Sequence, residues 1–125
     1  MSAHIFIAED EAAIITLLKY NLEKEGYKVS FCENGEDALK QIKDKLPDLI
    51  LMDWMLPDLS GVEICKNLKK DKKHNDIPVI MLTAKGEEED KLRAFDTGAD
   101  DYVTNPFSQK ELNARIKALL RRSKP

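Results

Sequence analysis

The chain has only two cysteines in 125 residues, no apolar run approaching the ~20 residues of a membrane span, and no excess of basic charge. Each shortage excludes something. Cys32 and Cys65 are far apart and fit no metal-ligand spacing, so they read as two buried free thiols in a reducing, cytoplasmic setting. The N-terminus lacks the charged-then-apolar pattern of a secretory leader, and a soluble protein with no membrane partner is expected. The 20 basic and 23 acidic residues are interspersed and leave a net charge of -3, so direct DNA contact by this segment is not expected. No Gly/Ser/Thr-rich loop follows the first apolar run, which argues against a flavin-binding protein. Internal repeats are absent, and residues 1–125 read as a single domain with a real core.

What is present is a set of short apolar runs that end in polar groups. Ile5-Phe6-Ile7-Ala8 leads into Glu9-Asp10, Leu49-Ile50-Leu51-Met52 into Asp53, and Val79-Ile80-Met81-Leu82, opened by Pro78, into Thr83. Such runs are the signature of strands buried on both faces of a parallel sheet. Residues 27–32 alternate like a strand, and Asp101-Tyr102-Val103 is a short last one. Ile14, Leu17, Leu18 and Leu22 predict a helix reaching Gly26. Asn34-Gly35 turns the chain into a second helix carrying Ala38, Leu39, Ile42 and Leu46, stopped before Pro47. Ser60-Gly61-Val62-Glu63 has the form of a capping box ahead of Val62, Cys65 and Leu68, and that helix gives way to a charged loop at 69–76. A fourth helix at 87–97 carries Leu92 and Phe95. The fifth is capped by Ser108-Gln109-Lys110-Glu111, carries Leu112, Ile116, Leu119 and Leu120, and ends in Arg121-Arg122, which suit its C-terminal dipole. Strands and helices in strict alternation predict an α/β, flavodoxin-like doubly wound sheet of five parallel strands, order 2-1-3-4-5, with five helices.

In that order the first, third and fourth strands are neighbours. Glu9, Asp10, Asp53 and Thr83 then meet at the carboxyl edge of the sheet, where such folds place their chemistry. One carboxylate at a strand end is an ordinary solvated loop starter; the coincidence of these groups on one edge carries the functional reading. Like charges ~4 Å apart repel by about 4 kcal/mol at an effective dielectric near 20, so the cluster needs raised pKa values, a cation, or both. Oxygen-only donors suit Mg²⁺, and zinc would find neither thiolate nor imidazole there. A carboxylate facing such a cation and a hydroxyl is equipped to take a phosphoryl group as an aspartyl phosphate, with Asp53 as the nucleophile and Thr83 touching the anion. A Mg²⁺-dependent phosphatase working through an aspartyl phosphate would want a second acid at the position of Met55, so no dedicated hydrolase is expected.

Glu9-Asp10, the run Asp-Leu-Ile-Leu-Met-Asp-Trp-Met-Leu-Pro around Asp53, Thr83-Ala84, and Gly98-Ala99-Asp100-Asp101-Tyr102 together carry a resemblance. Over essentially its full length the chain resembles the receiver domain of bacterial two-component response regulators. Through Asp53-Trp54-Met55-Leu56-Pro57, Met81-Leu82-Thr83-Ala84, Gly86-Glu87-Glu88-Glu89-Asp90 and the last helix it is most similar to the PhoB-like members of the OmpR/PhoB class. The resemblance implies that a sensor histidine kinase phosphorylates Asp53, and that Glu9, Asp10, Asp53 and the main-chain carbonyl of Met55 hold Mg²⁺. It implies that Thr83 and Ala84 bind the phosphoryl group, Thr83 as the switch hydroxyl with Tyr102 as the ring that follows it. Activation would form a homodimer through the fourth helix, fifth strand and fifth helix, pairing Lys91 with Glu111, Asp101 with Arg115 and Asp100 with Arg122 around Leu92, Phe95 and Ala114. Each exposed ion pair contributes at most ~1 kcal/mol, so the apolar centre would supply more of the affinity. DNA would be reached only through an effector domain absent from these residues, and no external substrate would be turned over.

One residue departs from the family pattern. Asn105 stands before Pro106 where the family has a lysine that reaches the phosphoryl group. The crevice therefore carries one more net negative charge, which should keep metal attraction and weaken the hold on a doubly charged phosphoryl group. Slower phosphotransfer or weaker coupling to the dimer is expected, and a phosphate-independent, constitutively dimerising relative is the competing reading. The resemblance also implies a cis Asn105-Pro106 bond, an isomer that the sequence alone leaves open.

Overall fold

A computed structural model describes residues 2–84, 98–105 and 107–123. Its strands are β1 (His4–Ala8), β2 (Lys28–Cys32), β3 (Leu49–Asp53), β4 (Val79–Ala84) and β5 (Asp101–Asn105). Its helices are α1 (Ala12–Lys24), α2 (Gly35–Lys45), α3 (Gly61–Lys70) and α4 (Gln109–Ser123). Thus α4 is the fifth predicted helix; the fourth, with Lys91, Leu92 and Phe95, lies outside the described residues, as does Pro106.

All pairings are parallel and the order is β2-β1-β3-β4-β5, as expected. The central strands are apolar throughout because both faces are covered. Phe6, Ala8, Ile50, Met52, Val79 and Met81 pack with Ala38, Ile42, Ile64 and Leu68, on the side of α2 and α3. Ile5, Ile7, Leu49, Leu51, Ile80 and Leu82 pack with Leu18, Leu22, Leu112 and Ile116, on the side of α1 and α4. Even and odd positions of a strand thus feed different cores, as a period of two requires.

Local signals explain the helix ends. Gly26, at φ 94°, closes α1: its N–H bonds Glu23 O at 3.0 Å while that of Tyr27 bonds Leu22 O at 3.1 Å, the paired arrangement of a glycine-terminated helix. Ser60 Oγ accepts from Glu63 N at 3.2 Å and Ser108 Oγ from Glu111 N at 3.2 Å, so both predicted caps are made. The apolar faces need adjustment. Leu17 is 54% exposed and Leu46, in the left-handed region at φ 50°, is 50% exposed; Ile15 takes the core position on α1. A stripe of four adjacent apolar residues leaves its boundary open by one residue, and packing with the sheet decides it. Strand β5 is longer than expected and includes Thr104 and Asn105.

Gly35 does not serve a turn. It is the first residue of α2, behind the N-cap Asn34, and a Cβ there would stand 2.2 Å from Leu59 O. Gly61 is equally constrained, with a Cβ 2.2 Å from Asp53 O. We expect Gly61→Ala to lower stability by about 2–3 kcal/mol, read as a lower urea midpoint, because the contact is with backbone that cannot rotate away. A midpoint equal to wild type would mean that the β3–α3 connection yields freely.

Candidate functional site

Register builds the site. Ala8 pairs with Met52, so the next residues on each strand, Glu9 and Asp53, stand side by side at the carboxyl edge. Asp53 pairs in turn with Leu82, which puts Thr83 one step beyond on the neighbouring strand. Adjacent strands lie about 4.8 Å apart, so this edge packs three functional groups into little more than two strand spacings. Carboxylate oxygens of Glu9, Asp10 and Asp53 all fall within 4.8 Å of one another. The three predicted acids are therefore one cluster, with Glu9 buried, Asp53 half-buried and Asp10 exposed.

Burial and crowding govern its titration. Glu9 is pushed up from 4.5 to about 8, first by burial and then by the charge of Asp53, against the pull of the Glu11 N–H that it accepts at 3.0 Å. Asp53 rises from 3.8 to about 6, again mainly through burial, while the Met55 N–H at 3.2 Å favours its ionised form. Three hard oxygens that resist sharing negative charge form a donor set suited to a divalent cation, and Mg²⁺ fits it.

Thr83 is 2% exposed, and its hydroxyl has no hydrogen-bond partner among the described residues. An unsatisfied buried hydroxyl costs about 1–3 kcal/mol, a cost repaid where an acceptor arrives. Tyr102, opposite Met81 on β5, is half-buried against the core shared with Trp54 and Met81. Ala84 and Asn105 pair across β4 and β5, so Asn105 ends the strand beside the site. The side chain of Met55 is 72% exposed and packs little.

Two of the acids expected at a dimer face have partners within their own chain. Asp101 takes both oxygens to Arg115 of its own chain, at 2.9 and 2.7 Å, and Arg115 also bonds Glu111 at 3.4 Å. Burial apart, this fork raises the Arg115 pKa. Asp100 accepts from Val79 N at 2.8 Å and from Lys69 Nζ at 3.3 Å. Ala114 and Arg122 are exposed on α4.

Sequence reading passed over one residue near the site. Asp58, between Asp53 and α3, accepts from the N–H groups of Gly35 at 2.6 Å and Glu36 at 3.1 Å, and those bonds lower its pKa. The usable signal was the shortage of acceptors at the start of α2: Asn34 caps a single amide there, that of Asp37 at 3.0 Å. Among the described residues no helix is long and apolar enough to cross a membrane.

The family described as "Response regulator receiver domain" matches residues 5–117. The chain is 50% identical over 125 residues to the phosphate regulon transcriptional regulatory protein PhoB of Rhizobium meliloti, covering 100% of this chain and 55% of that protein. It is 52% identical over 123 residues to the alkaline phosphatase synthesis transcriptional regulatory protein PhoP of Bacillus subtilis, covering 98% of this chain and 50% of that protein. The chain thus spans about half the length of these curated relatives. Among solved structures, the Francisella response regulator 1452 receiver domain superposes with a TM-score of 0.90 at 34% identity, over 98% of this chain and 100% of that one. The receiver domain of a Pseudomonas aeruginosa sensor histidine kinase, with a magnesium ion coordinated in its active site cleft, superposes with a TM-score of 0.88 at 27% identity, over 96% of this chain and 98% of that one.

Proposed function

The chain belongs to the response regulator receiver domain family, and from that premise we propose that it is a phosphorylatable switch whose acceptor is Asp53. The observation that carries this reading is the meeting of Glu9, Asp10 and Asp53 oxygens within 4.8 Å, one strand from the buried Thr83 hydroxyl, which has no partner among the described residues. An Asp53 carboxylate oxygen attacks the phosphorus of a phosphohistidine on a sensor kinase; the new P–O bond replaces the P–N bond, and the departing imidazole nitrogen keeps the electron pair. Glu9, Asp10, Asp53 and the Met55 carbonyl would hold Mg²⁺, which when bound offsets the charge on the transferring group. The Met55 N–H keeps Asp53 oriented at 3.2 Å. Thr83 then donates its hydroxyl to a phosphoryl oxygen, and Tyr102 follows into the space released. The domain assists its own phosphorylation and turns over no external substrate.

Output would run through a homodimer built on 87–97, β5 and α4, and in a longer protein through a DNA-binding segment outside these residues. The pairs Asp101–Arg115 and Asp100–Lys69 already exist within one chain. Exchanging them for pairs across a dimer is close to neutral, so Leu92, Phe95 and Ala114 would supply most of the affinity.

The test is light scattering with Mg²⁺ and beryllofluoride, a mimic of the aspartyl phosphate, against Mg²⁺ alone. Wild type should shift from monomer to dimer, and Asn105→Lys should shift at a lower beryllofluoride concentration. A dimer in both samples, or a monomer in both with metal bound, would sink the proposed switch.

A further inference from the structure

The connection from Asp53 to Gly61 carries the Met55 carbonyl, yet the exposed side chain of Met55 does little to hold it. Beyond the bond of its own N–H to Asp53 at 3.2 Å, its conformation comes from bonds made by its neighbours. At the base, Trp54 N donates to Leu82 O at 3.1 Å and Gly61 N to Trp54 O at 3.1 Å. At the outer end Asp58 reaches 23 and 22 residues back to the first two amides of α2. Leu59 presses on the same helix end, close enough that Gly35 has no room for a Cβ. Asp58 is therefore both a helix cap and a latch on the segment that follows the phosphoacceptor.

We propose that Asp58 is a positioning residue for the cation site, fixing the 54–60 connection so that the Met55 carbonyl is presented as a ligand and tying the start of α2 to metal binding. This rests on the reading that Glu9, Asp10, Asp53 and Met55 hold Mg²⁺. Groups that orient ligands without touching the metal typically change affinity by about 10–100-fold when removed, because the ligand must then be ordered at the moment of binding. The competing account is local: Asp58 stabilises α2 and nothing more, or attracts Mg²⁺ through its charge.

Trp54, the chain's single tryptophan and the neighbour of Asp53, is a built-in reporter for a Mg²⁺ titration by fluorescence. Four proteins decide the matter: wild type, Asp58→Ala, Asp58→Asn and Asn34→Ala. Asp58→Ala should bind Mg²⁺ on the order of 10-fold more weakly. Asp58→Asn should stay within about threefold of wild type, since asparagine caps a helix nearly as well as aspartate. Asn34→Ala removes the other cap of α2, at Asp37 N, and should lower the urea midpoint with Mg²⁺ affinity unchanged. Three results would overturn the role of Asp58: wild-type affinity in Asp58→Ala, equal losses in Asp58→Ala and Asp58→Asn, which would mean charge alone, or equal losses in Asp58→Ala and Asn34→Ala, which would mean helix stability alone. No saturation in the wild type would remove the metal reading and Asp58 with it, whereas saturation with unaltered affinity in Asp58→Ala removes Asp58 only.

Discussion

Asp53→Asn abolishes phosphoryl transfer. With Mg²⁺ and a small phosphoryl donor such as phosphoramidate, intact-mass spectrometry should find the added phosphoryl group on the wild type and none on the variant. The rate should fall by at least about 10³-fold, since the amide is no nucleophile. Glu9 holds its proton up to about 8, so it is no ready acceptor at neutral pH. The fold should survive: Asp53 is itself held partly neutral, with its pKa pushed up to about 6, so a neutral replacement relieves crowding and the urea midpoint should stay or rise. Transfer persisting in Asp53→Asn would place the acceptor elsewhere and undo the functional reading.

Without a divalent cation, stability should fall as pH rises from 6.5 to 8. Glu9 ordinarily titrates at 4.5 but here near 8, so over this interval the folded chain keeps a proton that the unfolded chain has released, and stability drops with pH. The loss across the window is about 1–2 kcal/mol, at 1.36 kcal/mol for each pH unit. Asp53, raised to about 6, contributes the same sign at lower pH and little more above 6.5. His4, whose pKa burial lowers, opposes this slope only weakly and at the acidic end of the window, as its unfolded form finishes titrating. Urea midpoints in EDTA at both pH values measure the slope. Saturating Mg²⁺ should flatten it, since the ion-bound acids are ionised in the folded chain as they are in the unfolded one and no proton difference remains. Glu9→Gln should flatten the EDTA slope. A flat wild-type profile in EDTA would show that the three acids do not crowd as described.

Much of the edge chemistry was legible in one dimension. A strand covered on both faces must be apolar along its whole length, so the points where the runs at 5–8, 49–52 and 79–82 give way to Glu9, Asp53 and Thr83 mark the sheet edge directly. Hydroxyl caps at Ser60 and Ser108 and the glycine stop at Gly26 are equally local, each completed within a few residues. The partners that these charges take within one chain were not legible. Asp101 and Arg115 form a bidentate fork within one chain, because β5 and α4 come close enough, a pairing separate from the one expected across a dimer. Asp100 bonds Lys69 and Val79 N within the chain, with Lys69 supplied from the end of α3. Lys91, Leu92 and Phe95 lie outside the described residues, so that part of the face rests on the family resemblance alone.

Legible in the residues alone were the alternation of buried strands and amphipathic helices and the acids and hydroxyl at the strand ends, because periodicity and two-sided burial are written in neighbouring residues, while the strand order came from the flavodoxin-like fold expected of that alternation. Tertiary structure alone decided how deeply Glu9 is buried beside Asp53, why Gly35 and Gly61 tolerate no side chain, and that Asp58 caps a helix more than 20 residues earlier in the chain. Those features depend on which distant segments the sheet brings within hydrogen-bond range, and no local pattern encodes that distance.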